Sequence, residues 1–205
     1  MKPAQEKKLD PIHRFGVVAA MARNRVIGVG GKLPWNLPGD RKMFKLLTKD
    51  KILIIGRKTF IEDPQQSHVS HSANCIIISK SLPDEFETDR LKLARSFPEA
   101  LNVARHLSEG GDFDLSNGNI SCWIAGGESL YHESLLHPSC MTLCLTVLNT
   151  DIAVTTADGQ PALDLARFPA NYRWDNKFKE VSKSNHQDAD LSYTTYTFER
   201  LKGKR

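Results

Sequence analysis

Three short runs in this chain, Ile52-Leu53-Ile54-Ile55, Cys75-Ile76-Ile77-Ile78 and Cys122-Trp123-Ile124-Ala125, are apolar at every position. A strand with one wet face alternates apolar and polar residues; a strand covered on both faces has no need to. Runs of four are too short for buried helices, and each is stopped at once, by Gly56, by Ser79 or by Gly126-Gly127. The chain is thereby committed to a sheet covered on both sides, the arrangement that helices between parallel strands provide. Val17 to Ala22 and Met141 to Leu148 read as further strands, with Thr146 the polar interruption of the second. Helical spacing runs through Arg41 to Leu47, and again from Phe97 to Ala104 with Pro98 in the first turn. Lys179-Glu180-Val181 and Tyr193 to Glu199 alternate like antiparallel edge strands. The expected fold is α/β: a single domain with a predominantly parallel central sheet, helices on both faces and an antiparallel C-terminal hairpin.

Composition narrows the function classes. With 205 residues, 40% of them hydrophobic and 25% charged, one core can be filled, and no composition break marks a second domain. Residues 1–13 are polar and read as a flexible arm, neither signal peptide nor anchor, ahead of a domain over residues 14–205. No run approaches the ~20 apolar residues of a membrane span. The net charge of +4 is dispersed among acids, which favours a small anionic ligand over nucleic acid. Cys75, Cys122, Cys140 and Cys144 lack CxxC spacing, so buried reduced thiols and no metal are expected. These features point to a protein of the cytoplasm, with mitochondria left open. They point also to a monomer with a small-molecule partner, and to no nucleic-acid or membrane partner.

Several strand ends carry candidate chemistry. After Gly28, the segment Leu33-Pro34-Trp35-Asn36-Leu37-Pro38-Gly39-Asp40 reads as a loop over a cleft. Asp40 opens the next helix, either as its N-cap or as a carboxylate for proton chemistry or for gripping a cationic heterocycle. Gly56-Arg57-Lys58-Thr59 places two cations and a hydroxyl at a helix start, where free amides favour phosphate; a solvated basic turn is the alternative. Ser79-Lys80, at the end of the second run, is a second candidate phosphate contact. Gly126-Gly127 lets backbone approach a ligand closely, and the helix start Glu128-Ser129-Leu130-Tyr131 offers amides to a pyrophosphate. Asp63 to Asn74 reads as a polar loop, with His68 and His71 as surface histidines.

Taken together these motifs resemble dihydrofolate reductase from Phe15 to Leu201. The matching stretches are Ala19-Ala20, Val26-Ile27-Gly28, Leu33 to Asp40 with Phe44 and Thr48, Gly56-Arg57-Lys58-Thr59, Trp123-Ile124-Ala125-Gly126-Gly127 with Tyr131, Leu145-Thr146, and Phe168-Pro169. The resemblance implies NADPH as cofactor and hydride transfer to the pterin ring of dihydrofolate. Asp40 would orient the pterin and promote its protonation, Thr146 would brace Asp40, and Leu33 and Trp35 would belong to the loop closing over the nicotinamide. Val18, Ala19, Arg41, Phe44, Ala125 and Thr146 would join Asp40 around the substrate. Ala20, Ile27 and Gly28, Gly56 to Thr59, Ser79 and Lys80, and Gly126 to Tyr131 would hold the cofactor, with a cis peptide joining Gly126 and Gly127.

The departures from the family pattern fall on one side. Ala73 stands where the family usually has an arginine for the glutamate carboxylate of folate. Asp63 and Ser70 replace apolar residues of the aminobenzoyl pocket, and Arg41 follows the catalytic acid in place of Leu or Phe. Arg41, His68 and His71 are the nearby candidates for a replacement charge. Two alternatives therefore stand beside dihydrofolate reduction: a reductase of an unconjugated pterin or related heterocycle, and a non-catalytic nucleotide-binding protein. A cofactor-only binder would not need Asp40, Trp35 and Thr146.

Overall fold

Alternation decides how the apolar runs pack. In a computed structural model, which describes residues 14–63, 67–109, 120–155, 159–160, 164–170 and 174–201, Ile52, Ile54, Ile76 and Ile124 point into one core. Leu53, Ile55, Cys75, Ile77 and Trp123 point into another on the opposite face. Successive strand residues face opposite ways, so an all-apolar strand feeds both layers at once. Each fully buried Ile contributes ~1.5–3 kcal/mol.

In chain order the elements are β1 (Phe15–Ala22), β2 (Val26–Val29), α1 (Pro38–Thr48), β3 (Ile52–Gly56), α2 (Arg57–Ile61), α3 (Ser67–His71), β4 (Asn74–Ile78) and β5 (Leu91–Ala94). They continue with α4 (Phe97–Glu109), β6 (Cys122–Ile124), α5 (Glu128–Leu136), β7 (Cys140–Leu148), β8 (Leu165–Arg167), β9 (Phe178–Asp188) and β10 (Leu191–Arg200). Eight strands form one sheet in the order β5-β4-β3-β6-β1-β7-β10-β9. It is parallel from β5 to β7 and antiparallel through β10 and β9. β2 and β8 pair separately. α4 and α5 contribute Phe97, Ala100, Leu130 and Leu135 to the first core, while Phe44 and Leu47 of α1 pack on the second. This is the expected α/β architecture. All four cysteines are buried in strands, and burial pushes the Cys75, Cys122 and Cys140 thiols up to about 12.

Some expectations need correction. α1 begins at Pro38, and its N-cap position is Leu37, so Asp40 is not the cap. The segment read as a loop from Asp63 to Asn74 contains α3, invisible to periodicity because it is held from outside: Asp63 accepts Ser67 Oγ–H at 2.8 Å and the His68 N–H at 3.1 Å. Of the two C-terminal strands only β9 is an edge; β10 lies between β7 and β9. The stretch from Asp151 to Arg167 reads from its sequence as a polar insertion, yet β8 falls inside it, since three residues show no pattern until β2 pairs with them. The arm at residues 1–13 lies outside the described residues.

Gly16 lies opposite Trp123 in the β1–β6 register, and a Cβ there would meet the indole at 2.5 Å. Trp123 is buried and cannot swing aside. Gly16→Ala should therefore destabilise the protein by ~1–3 kcal/mol, an overpacking effect readable as a lowered denaturant midpoint.

Candidate active site

A cleft of about 1420 Å³ opens along the C-terminal ends of β1, β3 and β6, the place where open α/β sheets present ligands. β3 ends there in Gly56 and β6 runs through Ala125 into Gly126-Gly127, for a steric reason. Gly56 N–H donates to the Gly126 carbonyl at 2.7 Å, and a Cβ on Gly56 would lie 3.3 Å from the Gly127 nitrogen. Gly126 has φ +103°, and a Cβ on it would press against Thr59 Oγ1 and the Tyr131 hydroxyl. The peptide joining Gly126 to Gly127 is cis. Gly127 is the N-cap of α5 and has no capping side chain, so the first amides of that helix, whose opening residues line the cleft, have no acceptor from the cap.

Asp40 stands on the cleft wall in the first turn of α1. Its Oδ1 accepts the Thr146 hydroxyl at 2.6 Å. Thr146 is wholly buried in β7, fixed in register between Ala20 of β1 and Thr195 of β10. Burial is the largest influence on the Asp40 carboxyl and holds it above its ordinary value; Thr146 and Arg41 pull it back, and Asp188 pushes it further up. Phe44, one turn on along the same face of α1, also lines the cleft. Tyr131 is buried nearby and donates its hydroxyl to the Val18 carbonyl at 3.0 Å. Burial and the Asp40 charge push the Tyr131 phenol well above its usual range.

The remaining expected residues divide clearly. Val18, Ala19, Ala20, Ile27, Gly28, Leu33, Trp35, Arg41, Gly56, Arg57, Lys58, Thr59, Ala125 and Gly126 to Tyr131 all line the same cleft, and Thr146 stands behind Asp40. Ser79 and Lys80 are not in the lining. The Ser79 hydroxyl is buried and accepts the Ser81 and Leu82 N–H groups at 3.2 and 2.9 Å, closing its own turn. Lys58 pairs with Asp164 at 2.6 Å across the cleft mouth, whereas Arg57 is exposed and without an ion pair among the described residues. Glu128 Oε2 accepts the Arg167 N–H at 3.2 Å, tying α5 to β8.

The far arm of the cleft differs from a surface loop. His68 and His71 are half-buried, and each ring centroid lies 5.6 Å from that of Phe44. His68 Nδ1 is 2.6 Å from Asp63 Oδ2. Burial works against ionising Asp63, but the bonds from His68 and Ser67 outweigh it and hold that carboxyl below its ordinary value. His71 bonds the Ser67 carbonyl, and its Nε2 is 2.8 Å from the Thr48 hydroxyl. Burial is the main cause that lowers its pKa. Ser70 is exposed and outside the lining. The Arg90 guanidinium reaches the segment beside Ala73 but donates to the carbonyls of Ser70, Ser72 and Ala73.

A sequence profile described as dihydrofolate reductase matches residues 14–202. A bifunctional dihydrofolate reductase-thymidylate synthase 2 of Arabidopsis thaliana is 32% identical over 154 residues, 71% of this chain and 26% of that protein. A dihydrofolate reductase type A13 of Escherichia coli is 53% identical over 47 residues, 23% of this chain and 28% of that protein. The dihydrofolate reductase of Drosophila melanogaster is 29% identical over 140 residues, 65% of this chain and 72% of that protein. Together with the sheet and the glycine-lined cleft, the profile match over most of the length places this chain in the dihydrofolate reductase family. The chain spans about a quarter to a third of the length of the bifunctional plant relatives.

Because the folded Asp40 carboxyl binds its proton more tightly than the ordinary 3.8, the native state holds more protons than the unfolded state above that pH. Stability is therefore lost as pH rises from 3.8 through the raised folded value. Asp40→Asn should be more stable than the wild type at neutral pH, with the advantage shrinking as pH falls toward 3.8. Urea midpoints for both proteins across that range would check it.

Proposed function

We propose that this protein reduces 7,8-dihydrofolate to tetrahydrofolate with NADPH, Asp40 orienting the pterin and promoting its protonation. The observation that carries this reading is the half-buried Asp40 carboxyl on the cleft wall, held at 2.6 Å by a hydroxyl from inside the sheet. A pterin presents an amino group and an adjacent ring nitrogen side by side, a donor pair that an ionised carboxylate accepts in one plane. A carboxyl with a raised pKa is also better matched to proton chemistry near neutral pH than an ordinary aspartate. Thr146 supports the role by fixing the carboxyl, and Phe44 offers an apolar wall beyond it.

The residues present fit the cofactor. The cradle of Gly56, Gly126 and Gly127 keeps side chains out of space that a Cβ would fill, and the free amides of α5 suit a pyrophosphate. Arg57 is available for the 2′-phosphate, while Lys58 would have to leave Asp164 to join it. Ala20 and Ile27 would flank the nicotinamide, with Leu33 and Trp35 excluding water above it. NADPH held there supplies the hydride.

Ala73, together with a far arm of the cleft lined by the polar Asp63 and Ser67, supports a second reading, a reductase of a pterin without a glutamate tail. Comparing kcat/KM for dihydrofolate and for an unconjugated dihydropterin separates the two. The first reading expects dihydrofolate to be preferred; parity or reversal favours the second. On either reading Asp40→Asn should lower turnover by ~10²–10⁴ while leaving NADPH affinity nearly unchanged. A variant that turns over normally would remove Asp40 from the mechanism, and one that loses NADPH binding would make Asp40 a structural residue of the cofactor site.

A further inference from the structure

The first turn of α1 has N–H groups without intrahelical acceptors, and Leu37 at the N-cap has no side chain to accept one. An acceptor arrives from the other end of the chain. Asp188, the last residue of β9, accepts the Gly39 N–H through Oδ2 at 2.6 Å. Position 39 must be glycine for this approach, since a Cβ would lie 2.9 Å from that same oxygen and against the Tyr193 hydroxyl. Tyr193 is buried near the start of β10, and its hydroxyl and the Asp188 carboxylate crowd the same side of Gly39. The His186 ring stacks on the Tyr193 ring at 5.0 Å. The tip of the β9–β10 hairpin is thus bolted to the residue just before Asp40.

We propose that Asp188 is a positioning residue for Asp40, fixing the first turn of α1 through Gly39 and setting a second carboxylate against the residue that precedes it. The inference rests on the reading of Asp40 as the pterin carboxylate. Asp40 is faced by Thr146 from β7, Arg41 from its own helix, Tyr131 from α5, and Asp188 with Tyr193 from the C-terminal hairpin. Of these, Thr146 and Arg41 favour the ionised form of Asp40, and Asp188 opposes it. Asp188 therefore does two separable things: its oxygen anchors the helix start, and its charge biases Asp40 toward holding a proton.

Two substitutions divide them. Asp188→Asn keeps an oxygen for Gly39 but loses the charge; Asp188→Ala loses both. The Asp40 carboxyl carbon can be followed by NMR against pH in the ligand-free, aspartate-labelled protein, its resonance identified by its loss in Asp40→Asn. The Asp40 midpoint should move to lower pH in both Asp188 variants, because a like charge has gone. Turnover at each variant's pH optimum should stay within about threefold of wild type in Asp188→Asn and fall about tenfold or more in Asp188→Ala, where the helix start is free to shift. An unmoved Asp40 midpoint in Asp188→Asn, or equal turnover of the two variants, would overturn the proposal. Undiminished turnover of Asp40→Asn would instead overturn the role given to Asp40, while the ligand-free titration still decides whether Asp188 acts on it.

Discussion

The hydrogen bond from Thr146 to Asp40 sets the position of most of what surrounds the cleft. A carboxylate taken out of water is unfavourable by several kcal/mol unless something bonds it, and a hydrogen bond to a charged group returns ~1.5–3 kcal/mol. The donor here cannot move, because Thr146 is locked in register between β1 and β10. α1 must come to it. Once Asp40 is placed, Phe44 and Thr48 follow on the same helical face, and Thr48 in turn meets His71 of α3. The bond at one end of α1 thus determines what lines the far arm of the cleft.

The second constraint is steric. β3 and β6 lie side by side with apolar residues on both faces, so the helices α2 and α5 must leave them abruptly and close together. Only backbone fits in the corner where Gly56 bonds Gly126. That corner and Asp40 line one open groove, and the same event that ends the strands brings the uncapped start of α5 to its wall. Closure on the opposite side comes from β8, which pairs with β2, binds Glu128 through Arg167 and sets Asp164 against Lys58.

The parts of this arrangement that were legible in the sequence are those encoded within a few residues. All-apolar runs such as Ile52-Leu53-Ile54-Ile55 announce a sheet covered on both faces, and the glycines that stop them announce close backbone approach. Asp40 was ambiguous because a carboxylate at a helix start serves as a cap or as a reagent. Its partner Thr146 lies 106 positions away and looks like any strand threonine. The Asp188 contact to Gly39 spans 149 positions and left no local trace. Ser79 shows a different limit: a hydroxyl after a strand suggests phosphate, and in the fold its oxygen also accepts the Ser81 and Leu82 amides of its own turn, a contact that no sequence pattern marks. The histidines were hidden because α3 is organised by Asp63 rather than by an apolar stripe. The family resemblance supplied what local reading lacked, ranking Asp40 as chemistry and joining Gly126-Gly127 to a cofactor.

Mixing the purified full chain with NADPH and dihydrofolate, and following the loss of reduced nicotinamide together with the pterin product, decides whether Asp40 stands in a working reductase site. One NADPH should be consumed for each tetrahydrofolate formed, with NADH a much poorer donor because it carries no 2′-phosphate for Arg57. NADPH that binds but is not consumed by dihydrofolate or by an unconjugated dihydropterin at any pH would contradict it, leaving a nucleotide-binding protein with an idle carboxylate.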